Sequence, residues 1–164
     1  MLHRTAHRHA LASLLPLLLL EACVNEPAAA PSLPPLAEDR EEPALALIEH
    51  VLAGYFAAQA ADADPPTTCV ELSPTGLSAA QEEALIARFA RLAPRERCST
   101  DVPPPSDGFT GERAVVVQVY GLECSDAAHC AAWVLRPGSS AVRYTMTFDS
   151  GAWKFAGDKR ILAD

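Results

Sequence analysis

Aromatic side chains make up only 6% of this chain, and acidic residues outnumber basic ones, 21 Asp and Glu against 13 Lys and Arg, for a net charge of −8. A nucleic-acid partner calls for a basic stripe, and attraction to an anionic membrane surface calls for local positive charge. The acidic balance argues against both, so a membrane attachment would be covalent or through a partner. No apolar run reaches the roughly 20 residues that a spanning helix needs, and a mean hydropathy of +0.07 excludes a polytopic membrane protein. Also missing are a Cys-x-x-Cys pair, a Gly-x-Ser-x-Gly elbow, a glycine-rich phosphate loop, an EF-hand loop and a His-Glu-x-x-His motif. Dithiol redox, nucleophile-elbow, phosphate-loop, calcium-loop and zinc-protease chemistry therefore have no motif here. No cofactor is implied.

What is present is a chain of 164 residues with 14 prolines and five cysteines, long enough for one domain with appendages. His3, Arg4, His7, Arg8 and His9 make a charged or titratable start, and an apolar stretch follows from Ala10 to Leu20, rich in leucine and broken by Pro16. Such an n-region and h-region predict a secretory signal. The next residues are Leu20-Glu21-Ala22-Cys23. Here the sequence resembles a bacterial lipoprotein signal peptide, whose lipobox ends in the cysteine to be lipidated. The resemblance implies that residues 1–22 are a signal peptide cut away before Cys23, whose thiol carries diacylglycerol and whose new amine is acylated, commonly with palmitate. Each buried methylene adds about 0.8 kcal/mol, so two or three chains anchor stably. Val24 stands where the family's inner-membrane retention signal has aspartate, which implies a periplasmic domain on the outer membrane. Two alternatives stay open, a cut after Ala28-Ala29-Ala30 and an uncleaved short anchor.

Residues 23–42 read as a Pro, Ala and Glu-rich tether, with Pro27, Pro31, Pro34 and Pro35 and the acidic run Glu38, Asp39, Glu41 and Glu42. Such a segment has little to bury. From Pro43 the pattern changes, and 43–164 reads as a single α+β domain. Leu45, Ile48, Leu52, Tyr55 and Phe56 recur at helical spacing, which predicts a helix from Pro43 to about Asp62. A strand over Thr67 to Leu72 follows. Ser78 and Gln81 form a capping box that opens a second helix, expected to run to Pro94 with Leu85, Ile86, Phe89 and Leu92 buried. After a proline-rich loop over Val102 to Gly111, four strands are expected: Ala114 to Tyr120, Ala131 to Arg136, Ala141 to Phe148 and Ala152 to Ala156. Short connections predict an antiparallel meander.

The order helix, strand, helix, four strands is similar to the cystatin-like cone folds, such as the nuclear transport factor 2 superfamily, and the closing Trp153-Lys154-Phe155 strand resembles the last strand of many such domains. The resemblance implies two helices packed on a curved antiparallel sheet of four to five strands. That superfamily hosts enzymes, binding modules and assembly domains, so fold alone does not choose among them.

With Cys23 set aside for lipid, Cys69, Cys98, Cys124 and Cys130 remain, and an even count in an exported chain points to two disulfides. Of the three pairings, Cys124–Cys130 with Cys69–Cys98 is favoured, because the first closes the connection between two adjacent strands. A metal site from Cys124, His129 and Cys130 is the competing reading, although its spacing lacks the usual zinc rhythm. His50 on the first helix could serve as a general base with Asp62 or Glu71, against the blander reading of a boundary residue. Glu49 beside it points elsewhere on the helix. Arg88, Arg91, Arg95 and Arg97 form a basic cluster that could grip an anion. Trp133, Trp153, Tyr144 and Phe148 are expected in the core. These features predict a non-enzymatic, membrane-tethered periplasmic module whose partner is another envelope protein or a small ligand. The alternative is a small hydrolase or isomerase using His50, and a third reading is a domain that only oligomerises through its sheet.

Overall fold

The structure, a computed structural model, describes residues 33–37, 40–101 and 103–158. The expected signal peptide, Cys23 and most of the expected tether lie outside the described residues. Helix α1 spans Pro43–Ala58 with Pro43 in its first turn, where a missing N–H costs nothing. Leu45, Ile48, Leu52 and Tyr55 are buried as their spacing predicts, and Ala46, Leu47 and Val51 widen the stripe. Strand β1 (Thr67–Ser73) leads to α2 (Ala79–Arg88). The Ser78 hydroxyl accepts from the Gln81 N–H, and the Gln81 side chain accepts from the Ser78 N–H, the reciprocal cap anticipated from sequence. Only Leu85 of α2 is fully buried.

Helix α2 stops at Arg88 instead of Pro94. Phe89 turns extended at φ −121° and ψ 95°, Leu92 bridges Thr68, and the Ala93 N–H donates to the Thr68 carbonyl at 2.8 Å. Those backbone groups at the edge of β1 need partners, and only an extended segment can supply them. Part of the proline-rich stretch is strand, β3 (Ser106–Asp107), which pairs with β2 (Cys98–Ser99) just before that stretch in a two-stranded ribbon.

The remaining strands are β4 (Ala114–Asp126), β5 (His129–Leu135), β6 (Val142–Asp149) and β7 (Ala152–Asp158), in the sheet order β1-β4-β5-β6-β7. The meander β4 to β7 is antiparallel as expected. The sheet as a whole is mixed, because β1 pairs parallel to β4. This corrects the fully antiparallel reading. Tight turns force antiparallel neighbours, whereas the connection from β1 to β4 carries α2 and the ribbon and is long enough for a crossover. Strand β4 has a bulge between Tyr120 and Glu123. Gly121 there sits at φ +61°, and a Cβ would lie 3.4 Å from Trp133 Cδ1, so glycine suits the bend.

Both helices cover one face. Val70, Leu72, Val117, Val119, Ala132, Val134 and Met146 meet Leu47, Ile48, Leu52 and Leu85 in one core. The alternate residues Cys69 and Ala114 join Cys98 and Ala93 in a second, smaller cluster, with Val116 against it. Trp153 joins the main core, and Tyr144 and Phe148 pack against it. Trp133 does not. Its neighbours Ala132 and Val134 point to the helices, so the period-two alternation of the strand turns Trp133 outward, half-buried in register with Tyr120 and Arg143.

Candidate functional site

His50 sits midway along α1 beside the edge strand β7, where its ring stacks on Phe155 at 4.4 Å and meets Tyr144 edge-on at 6.1 Å. It borders a cleft of about 290 Å³, lined in part by Glu49, Trp153, Leu33 and Ala37. Desolvation by these neighbours lowers the imidazole pKa. Neither expected acidic partner reaches it. Glu71 accepts from Arg95 at 2.7 Å, and Asp62 accepts from the Asp64 N–H in an exposed turn. Leu33–Ala37, in the stretch whose composition reads as tether, lie along this cleft. The Leu36 N–H donates to Glu49 at 2.8 Å, Arg88 donates to the Pro34 carbonyl, and Ala37 is buried in the core. Leu36 and Ala37 are apolar residues within reach of α1, a tertiary opportunity that composition does not display.

The basic cluster is spent on structure. Arg88 faces Glu49 at 3.5 Å, and Arg91 donates to the Gln59 carbonyl at 3.0 Å. Arg95 binds Glu71 and the Cys98 carbonyl, while Arg97 donates to Asp107 at 2.8 Å. These contacts tie α2 and the segment after it to α1, β1 and β3. The cysteines pair as favoured, Cys69 with Cys98 and Cys124 with Cys130. With those bonds made, neither Cys124 nor Cys130 is a thiolate ligand. His129 pairs instead with Asp126 at 2.9 Å.

A second cleft, about 430 Å³, lies on the sheet face opposite the helices. Val116, Gln118 and Leu135 form its floor, Thr100, Pro104 and Pro105 one wall, and Arg136, Pro137, Gly138 and Ser139 the other. The first wall is pinned at both ends. Cys98 is bonded to β1 through Cys69. At the far end the Asp107 carboxylate, fully buried, accepts from the Thr67 hydroxyl at 2.7 Å, Arg97 at 2.8 Å and the N–H groups of Phe109 and Thr110. Sequence reading passed over both Asp107 and this cleft. Its only local signals were the prolines, which also mark ordinary loops.

Hydrogen bonding, first from Thr67 and then from Phe109, Thr110 and Arg97, overrides the opposing desolvation and lowers the Asp107 pKa from 3.8 to about 2. A carboxyl depressed on folding stabilises above its unfolded pKa and loses that contribution as pH falls through the folded value. The difference in urea midpoint between the native chain and Asp107→Asn is therefore expected to hold constant above about pH 4 and to shrink toward pH 2. A difference unchanged across that range would contradict the clamp.

No family model, curated protein or solved structure matches the chain.

Proposed function

We propose that this protein is an exported lipoprotein, held by acyl chains on Cys23 and presenting a disulfide-stapled α+β binding module to the periplasm from the outer membrane. The observation that carries the reading is the cysteine arithmetic. Four of the five cysteines close on one another within the packed unit, and the one left over is the lipobox residue. Paired cysteines fit an oxidising compartment, and an odd cysteine with a lipid role needs no partner. Helices on one face of a five-stranded sheet support the finer reading of a cystatin-like cone, with α1 on its enclosed side. The cleft between pinned walls supports binding, either of a small ligand or of another envelope protein.

The test is the intact mass of the protein taken from its own membranes, before and after reduction. The expected chain starts at Cys23, carries acyl groups and takes up four hydrogens as two disulfides open. An unacylated chain, or one with free thiols, would sink the proposal.

A second reading, a small hydrolase or isomerase using His50 as base, draws on the lowered pKa of an imidazole at a cleft mouth. Neutral imidazole at neutral pH is the form a general base needs. Against it, Asp62 and Glu71 are both engaged elsewhere. His50→Ala would abolish turnover of any substrate on this reading, and an unchanged rate removes it.

A further inference from the structure

We propose that the cleft on the open sheet face binds a monoanionic amphiphile, a small molecule with an apolar body and a single carboxylate head. The proposal rests on the binding-module reading above and deepens it. Four arginines near the end of α2 are consumed by internal partners, yet the two arginines among the residues lining this cleft, Arg113 and Arg136, have no carboxylate partner among the described residues. In a chain of net charge −8, two arginines thus border one largely apolar cavity, Arg113 from the side where Asp64 and Glu112 line a neighbouring polar hollow. A guanidinium takes a carboxylate through a planar fork. Below it Val116, Ala114 and Leu135, with Pro104, Pro105 and Pro137 on the walls, offer a hydrocarbon lining, and Gln118 adds one polar group.

The cavity of about 430 Å³ falls in the range of small-ligand sites, roughly 300–1,000 Å³. Its walls are tied to the rest of the fold. The Cys69–Cys98 bond and the Asp107 clamp hold one wall, and the Pro137-Gly138 turn of the β5–β6 connection holds the other. Preorganised walls lower the ordering cost of binding. The surrounding acidity selects further, because a multiply charged anion meets more repulsion from the whole chain than a single carboxylate does.

Octanoate, 1-octanol and inorganic phosphate separate the contributions. The protein is the disulfide-intact full chain carrying Cys23→Ala, so that neither detergent nor its own acyl chains compete for the cleft. In an amide NMR titration, octanoate is expected to shift Val116, Leu135 and Gly138 saturably. 1-Octanol is expected to bind about tenfold more weakly, the effect of losing a charge-assisted pair at a rim, and phosphate is expected to cause no saturable shift there. Arg113→Gln with Arg136→Gln, both at positions outside the core, should erase the preference for octanoate over octanol while leaving the remaining amide spectrum in place. Equal affinity for octanoate and octanol, saturable phosphate binding at the same amides, or no shift in the cleft at millimolar octanoate would each overturn the proposal. Octanoate binding in a protein whose native mass shows no acyl chains would keep the site and remove the tether. Acylation without octanoate binding would do the reverse.

Discussion

Replacing Cys69 and Cys98 together by alanine is expected to lower folding stability by about 3–4 kcal/mol, the loop-entropy contribution of a bond spanning 29 residues. Typical domains have only about 5–15 kcal/mol in total, so this pair would account for a large part of the margin. The bond joins β1 to the segment that returns along its edge, and its sulfurs lie among Ala93 and Ala114, with Cys69 0% and Cys98 2% exposed. Removing it therefore frees the unfolded chain and empties a small packed cluster at once. The same double substitution at Cys124 and Cys130, six residues apart across the β4–β5 turn, should cost about 2–2.5 kcal/mol. Urea unfolding of both variants beside the native chain measures the order. A larger loss at Cys124–Cys130 would show that the long loop is held mainly by its hydrogen bonds and ion pairs.

Leu85→Ala is expected to cost about 2–5 kcal/mol, the usual range for truncating a buried leucine. The leucine is fully buried and is the only buried residue of α2. The rest of that helix is attached through polar or partly buried contacts, among them Gln81 to Glu42, Glu82 to the Arg95 N–H and Arg88 to Glu49. The Arg88–Glu49 pair is loose at 3.5 Å, and single part-buried hydrogen bonds contribute only about 0.5–1.5 kcal/mol each. Loss of the leucine should therefore speed amide hydrogen exchange in α2 more than in β4 to β6, as a local opening. Leu33→Ala, at a side chain 69% exposed, serves as the control and should stay within about 0.5 kcal/mol. A loss below about 1 kcal/mol at Leu85, or uniform exchange, would show that polar contacts alone seat the helix.

Much of the fold was legible because its signals are local. The spacing of Leu45, Ile48, Leu52 and Tyr55 marks α1, Ser78 and Gln81 mark the start of α2, and the alternation Val142, Tyr144, Met146 and Phe148 marks β6 with its inward face. The end of α2 was not legible. Leu92 continues the apolar periodicity of the helix, but its backbone belongs to the edge of β1. Trp133 was misjudged for a related reason. Ala131 to Leu135 is apolar on both alternations, so the strand does not announce which face meets the helices. The candidate sites divide the same way. His50 stood out by residue type, whereas Asp107, Arg113 and Arg136 look like ordinary loop charges until the fold gathers them.

By itself the sequence determined the α+β class, the places of the two helices and the four closing strands, and two of the three turns between those strands, while β4 runs on to Asp126 beyond its expected end at Tyr120. Each depends on period, capping or turn chemistry, which act over a few residues. Only the tertiary structure decided that β1 runs parallel to β4, which arginines are spent on carboxylates and which are left at a cleft, and which alternation of β5 turns outward. Those outcomes depend on contacts between residues far apart in the chain. Pairing a charge or burying a strand face requires a particular neighbour in space, and no short stretch of sequence carries the identity of that neighbour.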